Sequence, residues 1–355
     1  MSKARGLADL GNVYDDGALS NRNMVVNGAM TISQRGTSFS PPSNGAYVVD
    51  RFHQYQGGGG VLYYEQSTDA PSGFINSLKV TVNTADSSIA SGDYYYMRYE
   101  AEGLDCSRLS LGTSDAQEFT FSFYVKSSLT GTFSGAFQNA AVNRSYVFEY
   151  TINSANTWER KTVTISGDTS GTWLINNSVG LRVAFDLGNG SSVRSSSGSW
   201  AAAGNYGSSG SVELIGTASA TWQITGVQLE VGDTATPFEH PRSYGDELAR
   251  CQRYYYRLGG SGRASTPGAS NASQGYADIF FPVTMRTSPS FSNGGGFTVN
   301  NFSAAGTPSD INLNVVSTTT AELSIIGGVS YTLGNSILLY EAFTNSGNLK
   351  FDAEL

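Results

Sequence analysis

"EFTFSFYVKSS", residues 118–128, alternates large apolar side chains with polar ones. Phe119, Phe121 and Phe123 recur at every second position, so a β-strand would carry all three on one face. The clearest similar runs are "DYYYMRYEAE" at 93–102, "GTFSGAFQNA" at 131–140 and "ATWQITGVQLEVG" at 220–232. Turn residues separate such runs roughly every 8–12 positions, a spacing typical of sandwiches and jelly rolls. The pattern predicts an all-β fold, a β-sandwich or jelly roll over residues 24–240, beginning with a strand in "NMVVNGAMTIS".

One stretch, "SYGDELARCQRYYYR" at 243–257, has the spacing of a helix. Ser243 is a good N-cap, and four side chains then follow at steps of 4, 3 and 4, which form one stripe on a helix. The stripe consists of Tyr244, Leu248, Cys251 and Tyr255. It either packs on the sandwich or meets copies of itself around a symmetry axis. We predict a short connecting α-helix at 241–257, followed by a smaller C-terminal β tip domain at 258–355.

The composition restricts the partners. Charged residues make up 14% of the chain, well below the roughly 25% of an average soluble domain. A formal net charge of −8 argues against nucleic acid or an anionic membrane, since both attract clustered cations. We expect no membrane insertion, because no apolar run approaches the length of a span. The opening "MSKARGLADLGN" is too polar for a secretory signal, so we expect synthesis in a cytoplasm and free thiols at Cys106 and Cys251.

Catalytic signatures are missing from the sequence. It contains no GxSxG, no P-loop, and no GxGxxG that opens a helix after a strand. His53 and His240 lack a paired nucleophile and are interpreted as structural. The best acidic group, interpreted as a solvated strand end, consists of Asp93, Glu100, Glu102 and Asp105. No Cys/His cluster has zinc spacing. The protein is therefore predicted not to be an enzyme and to need neither a cofactor nor a metal.

Aromatic residues near polar loops are the strongest functional signal. Sugars stack their CH faces on Tyr or Trp, while amides and hydroxyls bind their OH groups. Trp200 and Tyr206 lie in a long Ser/Gly-rich stretch, and Tyr94 and Tyr96 share the face of a strand that we expect to point away from the core. These four are the glycan-binding candidates, and core packing is the alternative for each. The remaining tryptophans are assigned to the core: Trp158, Trp173 and Trp222.

Several segments resemble the tail fibre and receptor-binding proteins of tailed bacteriophages, notably those of marine and cyanobacterial phages. They are "NMVVNGAMTISQRGTSF", "AYVVDRFHQYQ", "EFTFSFYVKSS", "TWERKTVTISGDTSGTW" and "ITGVQLEVGDTATPFEHPRSYGDELARCQRYYYR", which fall within 23–257. The closing part, with "FFPVTMRTSPSF", is similar to the small β tip that often follows.

The resemblance implies a carbohydrate-binding-module-like jelly roll in a homotrimer located in the tail of the virion. It implies that residues 1–23 form a tether to tail adaptor or nozzle proteins, for which the candidate contacts are Leu7, Leu10, Val13 and Tyr14. It also implies a stubby tail fibre that binds host lipopolysaccharide or another surface glycan during adsorption. The alternatives are a structural adaptor or decoration protein of the virion and a tailspike-like polysaccharide depolymerase.

Overall fold

The computed structural model describes residues 21–259, 263–341 and 348–355. The chain divides into two compact units, Met1–Tyr244 and Gly245–Leu355. The predicted virion-attachment residues lie outside the described residues: Leu7, Leu10, Val13 and Tyr14.

The first unit is an all-β jelly-roll sandwich, as predicted. Its strands are β1 (Ser38–Phe39), β2 (Phe52–Gly57), β3 (Val61–Ser67), β4 (Ser77–Thr84), β5 (Tyr94–Glu102), β6 (Phe119–Ser127), β7 (Gly131–Gln138), β8 (Ser145–Ile152), β9 (Glu159–Ile165), β10 (Val179–Asp186), β11 (Arg194–Ser195), β12 (Trp200–Ala201), β13 (Gly207–Ser208) and β14 (Thr221–Val231). Its helical turns are α1 (Gly103–Cys106) and the 3₁₀ turns Ser107–Leu109, Ser191–Val193 and Leu214–Gly216. One sheet has the order β1-β3-β4-β14-β6-β9, and the other has the order β12-β8-β7-β10-β5-β2.

Aromatic side chains from both sheets fill the core between them. Phe119, Phe121 and Phe123 are fully buried, as their spacing predicts. Phe121 meets Phe137 of the other sheet edge-to-face at 5.2 Å, and Phe123 meets Phe185 at 5.4 Å. Burying each such ring stabilises the fold by roughly 1.5–3 kcal/mol.

The prediction of a first strand in the run that begins at Met24 is wrong. Residues 24–35 contain no strand, with turns at 26–29 and 34–35, although their apolar side chains are buried. Asn27 is the cause, since it adopts a left-handed φ of 60°. Its amide group donates to the carbonyls of Ile32 and Asp50, which offers the backbone an alternative to a ladder.

Trp158 is also placed differently from the prediction, whereas Trp222 and Trp173 are buried. Trp158 is half-buried outside the core, where its Nε1 donates to Asp69 at 3.2 Å. Lys126 lies 5.7 Å from the centre of the indole ring. Trp158 precedes β9, so the alternation of that strand does not extend to it.

The two ends of the first unit are pinned to each other. The carboxylate of Glu239 accepts the backbone N–H groups of Asn21, Arg22 and Asn23 at 2.6–2.9 Å. Arg108 donates from both terminal nitrogens to the carbonyls of residues 21 and 22. These bonds fix the point at which the chain begins the sandwich beside the point at which it leaves.

The predicted helix is present but shorter than expected: α2 spans Tyr244–Gln252. Of the predicted stripe, Tyr244 is 65% exposed, Leu248 is half-buried and Cys251 is buried. Tyr255 is not helical. It begins a strand in which it pairs with Asp352, because consecutive tyrosines favour extended backbone. The arrangement of the stripe around a trimer axis stays a prediction.

The second unit consists of three small antiparallel sheets. Its strands are β15 (Tyr255–Gly259), β16 (Arg263–Ser265), β17 (Gly268–Ala269), β18 (Gln274–Phe280), β19 (Ser290–Asn293), β20 (Phe297–Asn300), β21 (Ala305–Gly306), β22 (Asp310–Val316), β23 (Thr320–Ile326), β24 (Leu338–Glu341) and β25 (Asn348–Asp352). The sheet orders are β15-β25-β19, β16-β24-β20-β21 and β17-β18-β23-β22. Phe297, Leu323 and Phe351 lie at the centre of its core. Cys106 of the first unit and Cys251 of the second are buried thiols that form no disulfide.

Candidate functional site

The alternation of β5 creates two different faces. The inward side chains are Tyr95, Met97, Tyr99 and Ala101, which belong to the core. Because side chains alternate along a strand, those between them point to the outer face. The outward side chains are Tyr94, Tyr96, Arg98 and Glu100.

Neighbouring strands extend this outer face. On β2, His53 pairs with Arg98 and Tyr55 pairs with Tyr96. On β10, Arg182 pairs with Glu100. Directly opposed residues lie on the same face, so these side chains continue the outward set of β5 on either side.

Four tyrosines, Tyr55, Tyr94, Tyr96 and Tyr206, form what we call the tyrosine platform. The rings of Tyr55 and Tyr96 stack with centroids 5.0 Å apart, and the centroids of Tyr96 and Tyr206 are 4.5 Å apart. Tyr94 lies 6.2 Å from Tyr96. Tyr96 is buried beneath the other three, which are half-buried. The platform therefore presents three partly exposed aromatic rings on a packed base.

The position of the Tyr94 ring depends on a glycine in the neighbouring strand. Tyr94 pairs with Gly57 on β2, and a Cβ added at Gly57 would lie 2.4 Å from the Tyr94 ring. The ring consequently lies directly over the backbone of β2. Asn44 donates from its side chain to the Tyr94 hydroxyl at 3.1 Å.

Arg98 and Arg182, which we call the arginine pair, converge on Glu100. Oε1 of Glu100 lies 2.6 Å from Nε of Arg182 and 3.3 Å from Nη2 of Arg98. Arg98 also donates to the Tyr55 hydroxyl at 2.7 Å and lies 4.4 Å from the centre of that ring. Burial opposes the charge of Arg98, but the Glu100 carboxylate keeps its pKa above the ordinary value.

His53 is neutral in this setting. It is buried, and its Nε2 accepts from Nε of Arg98 at 3.1 Å while its ring stacks on Tyr47 at 4.6 Å. Burial, and next the charge of Arg98, holds the pKa of His53 well below 6.5. His53 is thus a structural acceptor that orients Arg98, in line with its interpretation from the sequence.

The hydroxyls of Tyr55 and Tyr96 remain protonated at neutral pH. Burial raises the pKa of Tyr55, and burial followed by the neighbouring Tyr206 raises that of Tyr96. A protonated tyrosine both donates and accepts hydrogen bonds, which suits the hydroxyls of a sugar.

Residues 187–213, the covering segment, lie over the remainder of this outer face. Asp186 binds the segment through Arg194, whose Nε and Nη2 lie 3.0 and 3.2 Å from its carboxylate oxygens. Ser208 donates its N–H to the hydroxyl of Ser134 on β7 at 2.8 Å. A Cβ at Gly207 would lie 2.0 Å from Oδ2 of Asp186, so this close approach requires glycine. The segment carries Tyr206 to Tyr96, and on β2 and β5 the rings of Tyr55 and Tyr94 stay half-buried.

Trp200 does not join the platform. It lies on β12 at the edge of its sheet, and β8, β7 and β10 separate it from β5. Its Nε1 donates to the Ser166 carbonyl at 2.7 Å, and its ring packs edge-on against Trp173 and Tyr146, each at 5.4 Å. Of the four candidates, Tyr94, Tyr96 and Tyr206 come together, whereas Trp200 closes the edge of the core.

Sequence reasoning missed the charged residues of the face. Glu100 and Glu102 are each only 1% exposed, so their interpretation as a solvated strand end is wrong. Arg182 lies in the middle of β10, whose other charged residue is Asp186 at its end. The period-two pattern of β5 could have predicted these charges. Every second position of "YYYMRYE" faces outward, and the outward residues include both tyrosines and charged side chains.

Among the described residues, no group of three or more His, Cys, Asp or Glu side chains could hold a metal ion. No helix in the described part of the chain is both long and apolar enough to cross a membrane.

Comparison with protein-family models gave no match, and neither did comparison with curated proteins. Solved structures match part of the chain. The enzymatically active domain of tailspike protein 4 from bacteriophage CBA120 is 15% identical, with a TM-score of 0.33 over 60% of this chain and 22% of that chain. The present chain thus spans about a fifth of the tailspike structure.

Carbohydrate-binding modules are also among the matches. The family 11 module of Clostridium thermocellum, solved with a β-1,3-1,4-mixed-linked tetrasaccharide, is 12% identical, with a TM-score of 0.29 over 58% of this chain and 99% of that chain. The CBM22-1 xylan-binding domain from Paenibacillus barcinonensis is 8% identical, with a TM-score of 0.26 over 60% of this chain and 96% of that chain. Each is a distant likeness, so the function is argued from the geometry of the platform.

Proposed function

We propose that the first unit binds a host-surface glycan on the tyrosine platform and that the protein is a phage tail fibre protein acting in adsorption. The observation that carries the glycan site is the meeting of Tyr55, Tyr94 and Tyr206, all three half-buried, around the buried ring of Tyr96. Partly exposed rings offer stacking surfaces for sugar CH groups, and their hydroxyls offer hydrogen bonds at the rim.

Binding without hydrolysis is the better fit to this face. Glycosidases canonically use two carboxyl groups that both reach the scissile bond. Glu100 and Asp186, which flank the platform, are 1% and 0% exposed and are engaged by arginines. A sugar on the platform would meet tyrosine and guanidinium groups before it met either carboxylate.

The tail location rests on the sequence resemblance. In this proposal, residues 1–23 attach the protein to tail adaptor or nozzle proteins, and the protein is a homotrimer. Three linked platforms would raise the apparent affinity for a repetitive surface by roughly 10²–10⁴ over a single site. Light scattering on the full-length protein tests this part: the mass of a trimer is expected, and a monomer would contradict it.

The glycan site is tested on arrayed bacterial surface glycans with Tyr55→Ala and Tyr206→Ala. Each variant should lose roughly tenfold in affinity, because each removes a stacking surface. The matched control is Tyr63→Ala, which removes a half-buried tyrosine from the other sheet and should bind like the wild type. A wild-type protein that binds no arrayed glycan, or platform variants that bind as well as Tyr63→Ala, would refute the site. Release of reducing sugars from a bound polysaccharide would instead favour a depolymerase.

A further inference from the structure

The arginine pair is only partly used by the protein itself. Arg98 donates from Nε to His53 and from Nη2 to Tyr55, and within the described residues no hydrogen bond uses its Nη1. Arg182 donates from Nε to Glu100 and from Nη1 to the carbonyl of Ala140, and in the same part of the chain no hydrogen bond uses its Nη2. Neither of these nitrogens is among the enclosed, unpartnered polar atoms of the described chain. The side chains are 10% and 16% exposed, respectively.

The charges of this cluster do not balance. Arg98 and Arg182 carry two positive charges against the single carboxylate of Glu100. His53, which also contacts Arg98, is neutral, as is the hydroxyl of Tyr55. The trio of Arg98, Arg182 and Glu100 therefore carries one excess positive charge, in a chain whose formal net charge is −8. A cation at a half-buried site attracts an anion more strongly than one on the open surface, since water screens it less.

The position of the charge matters as much as its sign. The guanidinium carbon of Arg98 lies 4.4 Å from the centre of the Tyr55 ring and 6.0 Å from that of Tyr96. A sugar ring that stacks on Tyr55 would hold its exocyclic groups within reach of Arg98, which Glu100 connects to Arg182. Guanidinium N–H groups form charge-assisted hydrogen bonds with carboxylates, for which their planar geometry is matched.

We infer that the platform selects acidic glycans and that the arginine pair binds the carboxylate of a uronic-acid-type sugar. This inference rests on the proposed function and names its ligand class. Arg182 is the better residue to test, because Arg98 is also part of the packing of His53 and Tyr55.

The test uses an array of matched glycan pairs, each consisting of a carboxylate-bearing glycan and its carboxyl-reduced neutral form, together with sulfated and phosphorylated glycans. The wild type should bind the carboxylate forms at least about tenfold more tightly than the reduced forms, the difference that one charge-assisted hydrogen bond provides. Arg182→Gln should remove most of that preference. Arg160→Gln, which removes an exposed arginine from β9 on the other sheet, is the matched control and should keep the preference.

The outcomes separate the two proposals. Binding to no glycan at all would overturn both. Equal binding to carboxylate and reduced forms would leave the glycan site standing and overturn the acidic preference. Equal binding to sulfated or phosphorylated glycans would overturn the assignment to a carboxylate. An unchanged preference in folded Arg182→Gln, checked by its circular dichroism, would overturn the role of the arginine pair.

Discussion

Asp186→Asn should loosen the covering segment and lower the stability of the first unit. Asp186 is fully buried at the end of β10. Its carboxylate accepts two N–H groups of Arg194, the N–H groups of Gly188 and Asn189, and the hydroxyl of Ser211. Asparagine keeps one oxygen acceptor but loses the charge opposite Arg194, whose side chain is 5% exposed.

The magnitude follows from these contacts. Removing one partner of a buried ion pair destabilises a protein by about 3–5 kcal/mol. Because the retained oxygen still accepts the loop N–H groups, we expect the low end, about 3 kcal/mol. Ser211→Ala removes one hydrogen bond to the same carboxylate, at 3.0 Å, and should lower the free energy of unfolding by about 1.5 kcal/mol. The double variant should lose less than the sum, since both changes act on one network.

Tryptophan fluorescence during urea unfolding of the full-length protein measures this change in one unit only. All four tryptophans lie in the first unit: Trp158, Trp173, Trp200 and Trp222. Asp186→Asn should lower the transition midpoint at an unchanged slope and should also weaken glycan binding, since Tyr206 belongs to the segment that Asp186 holds. A free energy of unfolding within about 0.5 kcal/mol of wild type would refute the anchoring role of Asp186.

Three further changes test other parts of the first unit. His53→Gln should reduce the loss of stability on acidification. As the pH falls below 6.5, His53 takes up a proton in the unfolded chain but not in the folded chain, where its pKa is lowered, so the free energy of unfolding of the wild type falls as the pH falls. Denaturation at a series of pH values would show this difference between the wild type and the variant. Gly207→Ala should destabilise the unit by at least about 1 kcal/mol, because its Cβ would meet a carboxylate oxygen at 2.0 Å; a midpoint equal to wild type would contradict that contact. Glu239→Gln should weaken the three bonds to residues 21–23 and speed proteolysis just before them, with unchanged cleavage rates as the opposing result.

The sequence predicts the sandwich well because its signal is local. Alternation in β5 and β6 depends on which side chains a strand buries, and the structure confirms the buried face of Phe119, Phe121 and Phe123. The same rule fails where a side chain competes with the ladder. Asn27 bonds to backbone groups and turns its segment out of the extended conformation, although the apolar pattern around it resembles a strand.

The site is harder to predict, because it depends on pairs that are distant in sequence. Tyr94 and Tyr96 are recognisable from one strand, but Arg182 reaches them only through the pairing of β10 with β5. Charged residues on strands are usually interpreted as solvated, so the burial of Glu100 between two arginines requires the register to be known. The prediction that Trp200 binds glycan failed for the opposite reason. Its Ser/Gly-rich surroundings resemble a loop, but Trp200 lies on a short edge strand and packs against the core.

The bonds between Glu239 and residues 21–23 have a mechanical consequence. When tension is applied between the two ends of the first unit, the load passes first through this junction, because the chain begins and leaves the sandwich there. The two guanidinium bonds from Arg108 to the same residues share that load. While these hydrogen bonds remain intact, the two sheets bear none of the load. A pull along the chain would therefore strain the junction while the tyrosine platform kept its geometry.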